Sequence, residues 1–131
     1  MLARAIRLHT EKMFSPEVLD HFKNPRNAGP LENATTSVEV SNPVCGDVLR
    51  LAARVENGKI VEAKFLCRGC TTAIACASCL TELLRGSSLD SPVEISVEAI
   101  ADALGRLPSE TIHGAHLAAD AARALRAQLR R

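Results

Sequence analysis

The chain of 131 residues carries a formal net charge of +1, a hydrophobic fraction of 47% and five cysteines. This length predicts one compact domain whose core needs no disulfides, and the composition argues against disorder and against a strong electrostatic pull toward nucleic acid. Tyr and Trp are absent and Phe occurs three times, so there is little with which to stack nucleic-acid bases.

A weakly amphipathic, basic segment opens the chain. Residues 1–12, MLARAIRLHTEK, precede a second methionine at Met13, so they form either an extension without fixed structure or the product of an upstream start. The segment lacks the apolar core and cleavage site of a secretory signal, and no apolar run approaches the length of a membrane span. We therefore expect a cytoplasmic protein, without a membrane partner, whose domain spans residues 13–131.

The first regular element is a short helix. Ser15 is a suitable cap, Pro16 suits the first turn, and Val18, Leu19 and Phe22 share one face. The dipeptide Asn24-Pro25 predicts the end of this helix, because the residue before a proline is pushed out of the helical conformation.

Three β-rich segments follow and predict an antiparallel sheet. The first alternates as SVEVSN, and the other two flank Asn57-Gly58, the favoured dipeptide of a tight hairpin. We expect the strands at 37–42, 48–55 and 59–66. The fold class predicted is therefore α+β, with a three-stranded antiparallel sheet packed against helices.

Helical signals dominate the second half of the chain. Ala73, Ala77, Leu80 and Leu84 share a face of a helix that begins after Cys70 and is expected to end near Arg85. A short helix is predicted at 96–104, and a last one begins between 109 and 114 and continues to the end of the chain.

Four cysteines form two Cys-x-x-Cys pairs in CRGCTTAIACASCL. In a reducing compartment such clustered thiols favour metal binding or catalysis over disulfides. One four-cysteine site is not expected, because the helix rises about 1.5 Å per residue and places Cys79 on the order of 13 Å from Cys70. Cys76 and Cys79 are instead predicted to pack in the core.

The remaining polar candidates lie near turns. Cys70 lies where strand becomes helix, a position that favours the thiolate. Cys67 is either an auxiliary thiol or a residue that points into the sheet. Cys45, in NPVCGD, is either a turn residue without a role or a ligand beside Asp47, a hard oxygen donor. In TIHGAH, His113 and its neighbour His116 are either structural or the source of a third ligand.

The order of these motifs resembles the IscU/NifU-type iron–sulfur cluster assembly scaffold family. The resemblance runs from Met13 to the end of the chain. It includes the opening helix and turn in MFSPEVLDHFKNPRNAG, then CGD, then VEAKFLCRGCTTAIACASCLTELLRG, and finally IHGAHLAADA. It implies the α+β fold of the NifU N-terminal domain, in keeping with the elements predicted above.

The resemblance also implies a ligand set. The family's first cysteine falls on Cys45, its aspartate on Asp47, its second cysteine on Cys70 and its histidine on His113, whereas its third cysteine falls on Gly114. The implied cofactor is a [2Fe–2S] cluster or iron, with zinc as an alternative occupant. Without a thiol at Gly114 the site should be weaker and easier to hydrolyse.

Cys67 is the best candidate to replace the missing thiol, because it lies three residues before Cys70. The implied function is that of a scaffold and not of an enzyme: it receives sulfur from a cysteine desulfurase and passes clusters to apo-protein acceptors. Residues 107–111 read LPSET where relatives carry LPPVK, which argues against an Hsp70-type chaperone partner. Two alternatives stay open: a degenerate zinc-binding regulatory or interaction protein, and a sulfur-transfer partner that carries persulfide on Cys70 or Cys67.

Overall fold

The computed structural model of the protein describes residues 14–43, 46–90, 95–109 and 111–130. Within these ranges the elements follow in the order α1 (Pro16–Lys23), β1 (Thr36–Asn42), β2 (Asp47–Glu56), β3 (Lys59–Arg68), α2 (Thr71–Leu84), α3 (Val97–Ala103) and α4 (His113–Leu129). The predicted basic extension, 1–12, lies outside the described residues. None of the described helices combines the length and apolar character needed to cross a bilayer.

The three strands form one antiparallel sheet in the order β1-β2-β3. The predicted hairpin is confirmed: Asn57 and Gly58 have φ of 53° and 75°, the positive values that a two-residue turn of type I′ requires. Leu51 of β2 lies between Val38 of β1 and Phe65 of β3, and all three are buried. The fold class predicted from the sequence is therefore correct.

The helices cover one face of this sheet. Every second residue of β2 from Leu49 to Ala53 is buried against them, whereas Arg50 on the opposite face is exposed. The helix surfaces that pack together are rich in alanine, which allows close approach; the buried alanines are Ala73, Ala75 and Ala77 in α2 and Ala115, Ala118, Ala119, Ala121 and Ala122 in α4.

Side chains and backbone groups at and just after the end of α1 form hydrogen bonds with residues in the middle of α2. His21 Nδ1 lies 2.8 Å from Ser78 Oγ, which also accepts the backbone N–H of Arg26 at 2.8 Å. Asn27 donates from its side chain to Thr81 Oγ1 at 3.1 Å. Burial lowers the pKa of His21, so the imidazole is held in its neutral form. These hydrogen bonds hold α2 in place relative to α1 and so help to position Cys70, the residue at the N-terminus of α2.

Candidate metal centre

Three side chains converge where the end of the sheet meets the N-termini of two helices. Asp47 begins β2, Cys70 is the N-cap of α2, and His113 is the first residue of α4. Cys70 Sγ lies 3.5 Å from His113 Nε2 and 3.9 Å from Asp47 Oδ2, and His113 Nε2 lies 3.9 Å from the same oxygen. The structure thus brings together three residues separated by up to 66 positions in sequence (113 minus 47).

These distances fit a single metal ion. A tetrahedral ion bound at about 2.3 Å from sulfur and about 2.0 Å from nitrogen and oxygen holds its donor atoms about 3.3–3.6 Å apart. Only the contacts to Asp47 exceed this range, so ion binding requires the carboxylate to move by a few tenths of an ångström. One sulfur, one nitrogen and one oxygen donor suit zinc or iron.

Asp47 is the most buried member of the group. Its side chain is 9% exposed. Space for the carboxylate depends on Gly69, since a Cβ built there would lie 3.0 Å from Asp47 Cγ and 3.2 Å from Oδ1. A cation held by these three side chains would further offset the cost of burying this carboxylate.

Cys70 occupies the position predicted from the sequence. It is exposed, and it caps α2 in an extended conformation with φ −74° and ψ 171°. Its side chain makes no capping hydrogen bond, so the sulfur remains turned toward Asp47 and His113.

Cys67 lies near this group but is not one of its members among the described residues. It is half-buried in β3, opposite Leu49 of β2. Burial, together with the charges of Asp47 and Cys70, raises the pKa of its thiol to about 11. The thiol is therefore protonated at neutral pH, and its role as substitute ligand stays a prediction.

The remaining candidate residues differ from these in burial and position. Cys45 lies outside the described residues, so its role as a ligand also remains a prediction. His116 is exposed and does not belong to the group. Cys76 and Cys79 are 0% and 3% exposed, and burial raises the pKa of both thiols, that of Cys79 to about 11. The prediction that these two cysteines pack in the core is confirmed.

Two glycines beside the site were not recognised as contributors from the sequence. Gly69 faces the carboxylate of Asp47, and Gly114 packs against the backbone of α2. The only sequence signal is that each glycine is the immediate neighbour of a candidate ligand. That signal does not reveal which atoms a side chain would meet.

Comparisons with known proteins identify the family of the chain. The family model of the NifU-like N-terminal domain matches residues 13–130. The chain is 43% identical over 111 residues to the iron–sulfur cluster assembly scaffold protein IscU 1 of Archaeoglobus fulgidus, covering 85% of this chain and 72% of that protein. It is 42% identical over 115 residues to the IscU scaffold protein of Haemophilus influenzae, covering 85% and 90%.

A solved structure supports the fold. The N-terminal part of a nitrogen-fixing NifU-like protein from Brucella abortus superposes with a TM-score of 0.59, covering 89% of this chain and 83% of that one. The sequence identity of this pair is 13%, so the likeness concerns the fold alone.

Proposed function

Since the chain belongs to the NifU-like N-terminal domain family, we propose that it is a scaffold on which iron and sulfide are assembled, as a [2Fe–2S] cluster, and then passed to apo-proteins. The observation that carries this proposal is the convergence of Asp47, Cys70 and His113, whose donor atoms all lie within 4.8 Å of one another. The unit proposed to carry the function is the segment 13–131.

Each donor has a separate task in this proposal. Cys70 supplies the soft thiolate that iron in clusters prefers, and its exposure leaves it accessible to an incoming sulfur atom. His113 supplies a nitrogen donor of the kind that Rieske centres use. Asp47 supplies a hard oxygen, which binds iron in a cluster less firmly than a thiolate and so keeps the cargo transferable. Cys45 is the proposed fourth donor.

The partners follow from the chemistry of the cargo. The sulfur must come from a donor, for which we propose a cysteine desulfurase, and each persulfide sulfur must be reduced to sulfide by two electrons from a thiol or an electron-carrier protein. The assembled cluster must then leave for apo-protein acceptors. The scaffold therefore binds and releases a cargo and does not turn over a substrate. Free thiols are required throughout, which favours a reducing compartment such as the cytoplasm.

Anaerobic reconstitution tests the proposal. The protein is incubated with ferric iron and sulfide, the oxidation states of an oxidised [2Fe–2S] cluster, and absorbance and Mössbauer spectra are recorded for the wild type and for Cys70→Ala. We expect a [2Fe–2S] spectrum in the wild type and its loss in the variant. Cys79→Ala is the matched control, because it removes a buried thiol outside the site. Absence of any iron–sulfur species in the wild type contradicts the proposal.

Zinc is the alternative occupant of the same site, because a sulfur, nitrogen and oxygen donor set also suits this ion. Metal analysis of protein purified from iron-replete cells distinguishes the two occupants. The degenerate zinc-binding protein and the persulfide carrier predicted as alternatives gain no support from the relatives, which carry scaffold names.

A further inference from the structure

The face of the sheet opposite the helices carries an exposed leucine. Cross-strand pairing places Arg50 of β2 between Glu39 of β1 and Leu66 of β3 on this face. Leu66 is 45% exposed, so nearly half of its surface meets solvent. A single exposed leucine is ordinary on a protein surface, so the residues around it decide whether the place can bind a partner.

Three cations surround Leu66. Lys64 and Arg68 precede and follow it on the same face of β3, and Arg50 lies directly opposite on β2. These residues belong to three cross-strand rows, in which Glu39, 3.2 Å from Arg50, is the one anion and the other side chains are small or apolar. The surface defined by Arg50, Lys64, Leu66 and Arg68, here called the basic face, therefore has three cations and one adjoining anion around an apolar centre.

Two grooves border Leu66 on the basic face. One, of about 510 Å³, lies toward Arg68, and the other, of about 190 Å³, lies toward Lys64 and is bounded on its far side by the loop that contains Pro30. Arg50 lines both grooves, so each has two cations on its walls. An acidic side chain can enter either groove beside the leucine and meet opposite charge there.

The basic face adjoins the metal centre. Val48, the partner of Arg68 in the sheet, immediately follows Asp47. Arg68 precedes Cys70 by two residues, which corresponds to at most about 7 Å of extended chain. A protein seated on the basic face is therefore close to the donor atoms. An acceptor needs this proximity, because its own thiols have to displace the donors of the scaffold.

We propose that the basic face is the docking surface for acceptors, and that it selects apo-proteins whose contact surface carries Asp or Glu around an apolar side chain. This inference rests on the proposed function, since it concerns the protein that takes the cargo. The transfer is ligand exchange without a redox step: acceptor thiols lose their protons as their sulfurs bind iron, and the Cys70 thiolate takes up a proton as its bond to iron breaks. Charges around one apolar contact speed encounter more than they strengthen binding, which suits an acceptor that must leave again.

Two other occupants fit the basic face less well. A second copy of the chain would set this face against itself in a symmetric contact, and like charges would then oppose one another. Phe65, the one aromatic residue of the three described strands, is buried in the core, so the face offers no ring on which a nucleic-acid base could stack.

Cluster transfer to an acidic acceptor tests the docking surface. The scaffold is reconstituted with ferric iron and sulfide, so that no sulfur donor is present, and is mixed with the apo form of an acidic [2Fe–2S] ferredoxin while circular dichroism follows the second-order rate of transfer. We expect Arg68→Glu to lower this rate by about tenfold and to make it less sensitive to salt, because attraction between opposite charges is lost. Leu66→Ala should lower the rate by about threefold or more, because it removes the central apolar contact.

Each variant has a matched control on the helical side of the protein. Arg123→Glu reverses the charge of an exposed arginine of α4, and Leu83→Ala shortens an exposed leucine of α2. Both controls should transfer clusters within about twofold of the wild-type rate, since neither residue belongs to the proposed interface. Lys64→Glu is a second charge reversal, further from Cys70, and decides the test if Arg68→Glu alters the spectrum of the bound cluster.

Wild-type transfer rates for the charge reversals and for Leu66→Ala overturn the docking surface, and so does an equal loss of rate in Arg123→Glu. A wild-type cluster that does not pass to the ferredoxin overturns it too. Self-association of the wild type that Leu66→Ala abolishes, measured by sedimentation, would assign the face to a second copy instead. Absence of any cluster on the wild type overturns the proposed function as well, and this failure is distinguishable because it alone leaves no wild-type spectrum.

Discussion

Replacing Gly69 by alanine should damage the metal centre through Asp47. A Cβ at this position would lie 3.0 Å from Asp47 Cγ, 3.2 Å from Oδ1 and 3.0 Å from Ala73 Cβ. The methyl group therefore meets the carboxylate on one side and α2 on the other. The carboxylate is the more mobile neighbour, so we expect it to move away from the methyl group.

The close contacts of this methyl group set the expected losses of stability and of Zn²⁺ affinity. Overpacking by one methyl group typically costs about 1–3 kcal/mol of unfolding free energy. Asp47 Oδ2 already lies 3.9 Å from both Cys70 Sγ and His113 Nε2, so a further shift of a few tenths of an ångström takes it out of reach of a shared ion. We expect Zn²⁺ affinity to fall by about 10- to 100-fold, measured by competition with a chromophoric chelator.

The Asp47→Ala background separates the two effects. There the carboxylate is absent, so Gly69→Ala should still lower stability through Ala73 but should leave Zn²⁺ affinity nearly unchanged. If Gly69→Ala weakens Zn²⁺ binding equally with and without the Asp47 carboxylate, the reasoning from carboxylate displacement is refuted.

Three further outcomes follow from burial and charge. Asp47→Ala should raise the stability of the metal-free protein, because a buried carboxylate is removed. The same substitution should weaken Zn²⁺ binding by about tenfold or more, and thermal melts with and without Zn²⁺ check both effects. Burial lowers the pKa of His21 from 6.5, so the unfolded chain binds a proton more readily than the folded chain, and the free energy of unfolding should decrease as pH falls through about 6.5. Urea titrations from pH 8 to pH 5 should show a shallower decrease for His21→Gln than for the wild type. An equally steep decrease in the variant would count against this assignment. Iodoacetamide should alkylate Cys70 in the folded protein and should reach Cys76 and Cys79 only on unfolding, which mass spectrometry of proteolytic fragments can establish.

The order and type of the elements were accessible from the sequence, because local signals determine them. Asn57-Gly58 specifies the hairpin through its positive φ values, and Ser15 and Pro16 specify the start of α1. The predicted strands were each shorter than the observed ones by one to two residues at their ends. Strand ends depend on pairing with a neighbour, which no local signal reports.

The sequence identified residues of the candidate site but not their arrangement in space. Asp47, Cys70 and His113 could be selected by residue type and by motif, but their convergence depends on long-range packing of β2, α2 and α4. The protonation state of Cys67 could not be predicted from its spacing to Cys70, since its raised pKa depends on burial in the folded chain. The effect of a glycine likewise depends on what its missing Cβ would have met.

Gly114 connects the departure from the family pattern with the chemistry of the site. The resemblance places a third thiol at this position, where a Cβ would lie 3.1 Å from backbone atoms of Thr72 and Ala73 and would require a shift of a few tenths of an ångström. The histidine of the family pattern is present, and His113 Nε2 lies 3.5 Å from the helix-capping thiol of Cys70. On the proposed ligand set, a neutral nitrogen donor replaces a thiolate, so the site carries one negative charge less. Histidine ligation raises the reduction potential of [2Fe–2S] centres, and it binds iron without the covalent character of a thiolate. A cluster held in this way is more easily reduced and more easily released, which agrees with a protein whose task is to hold its cargo only until an acceptor binds.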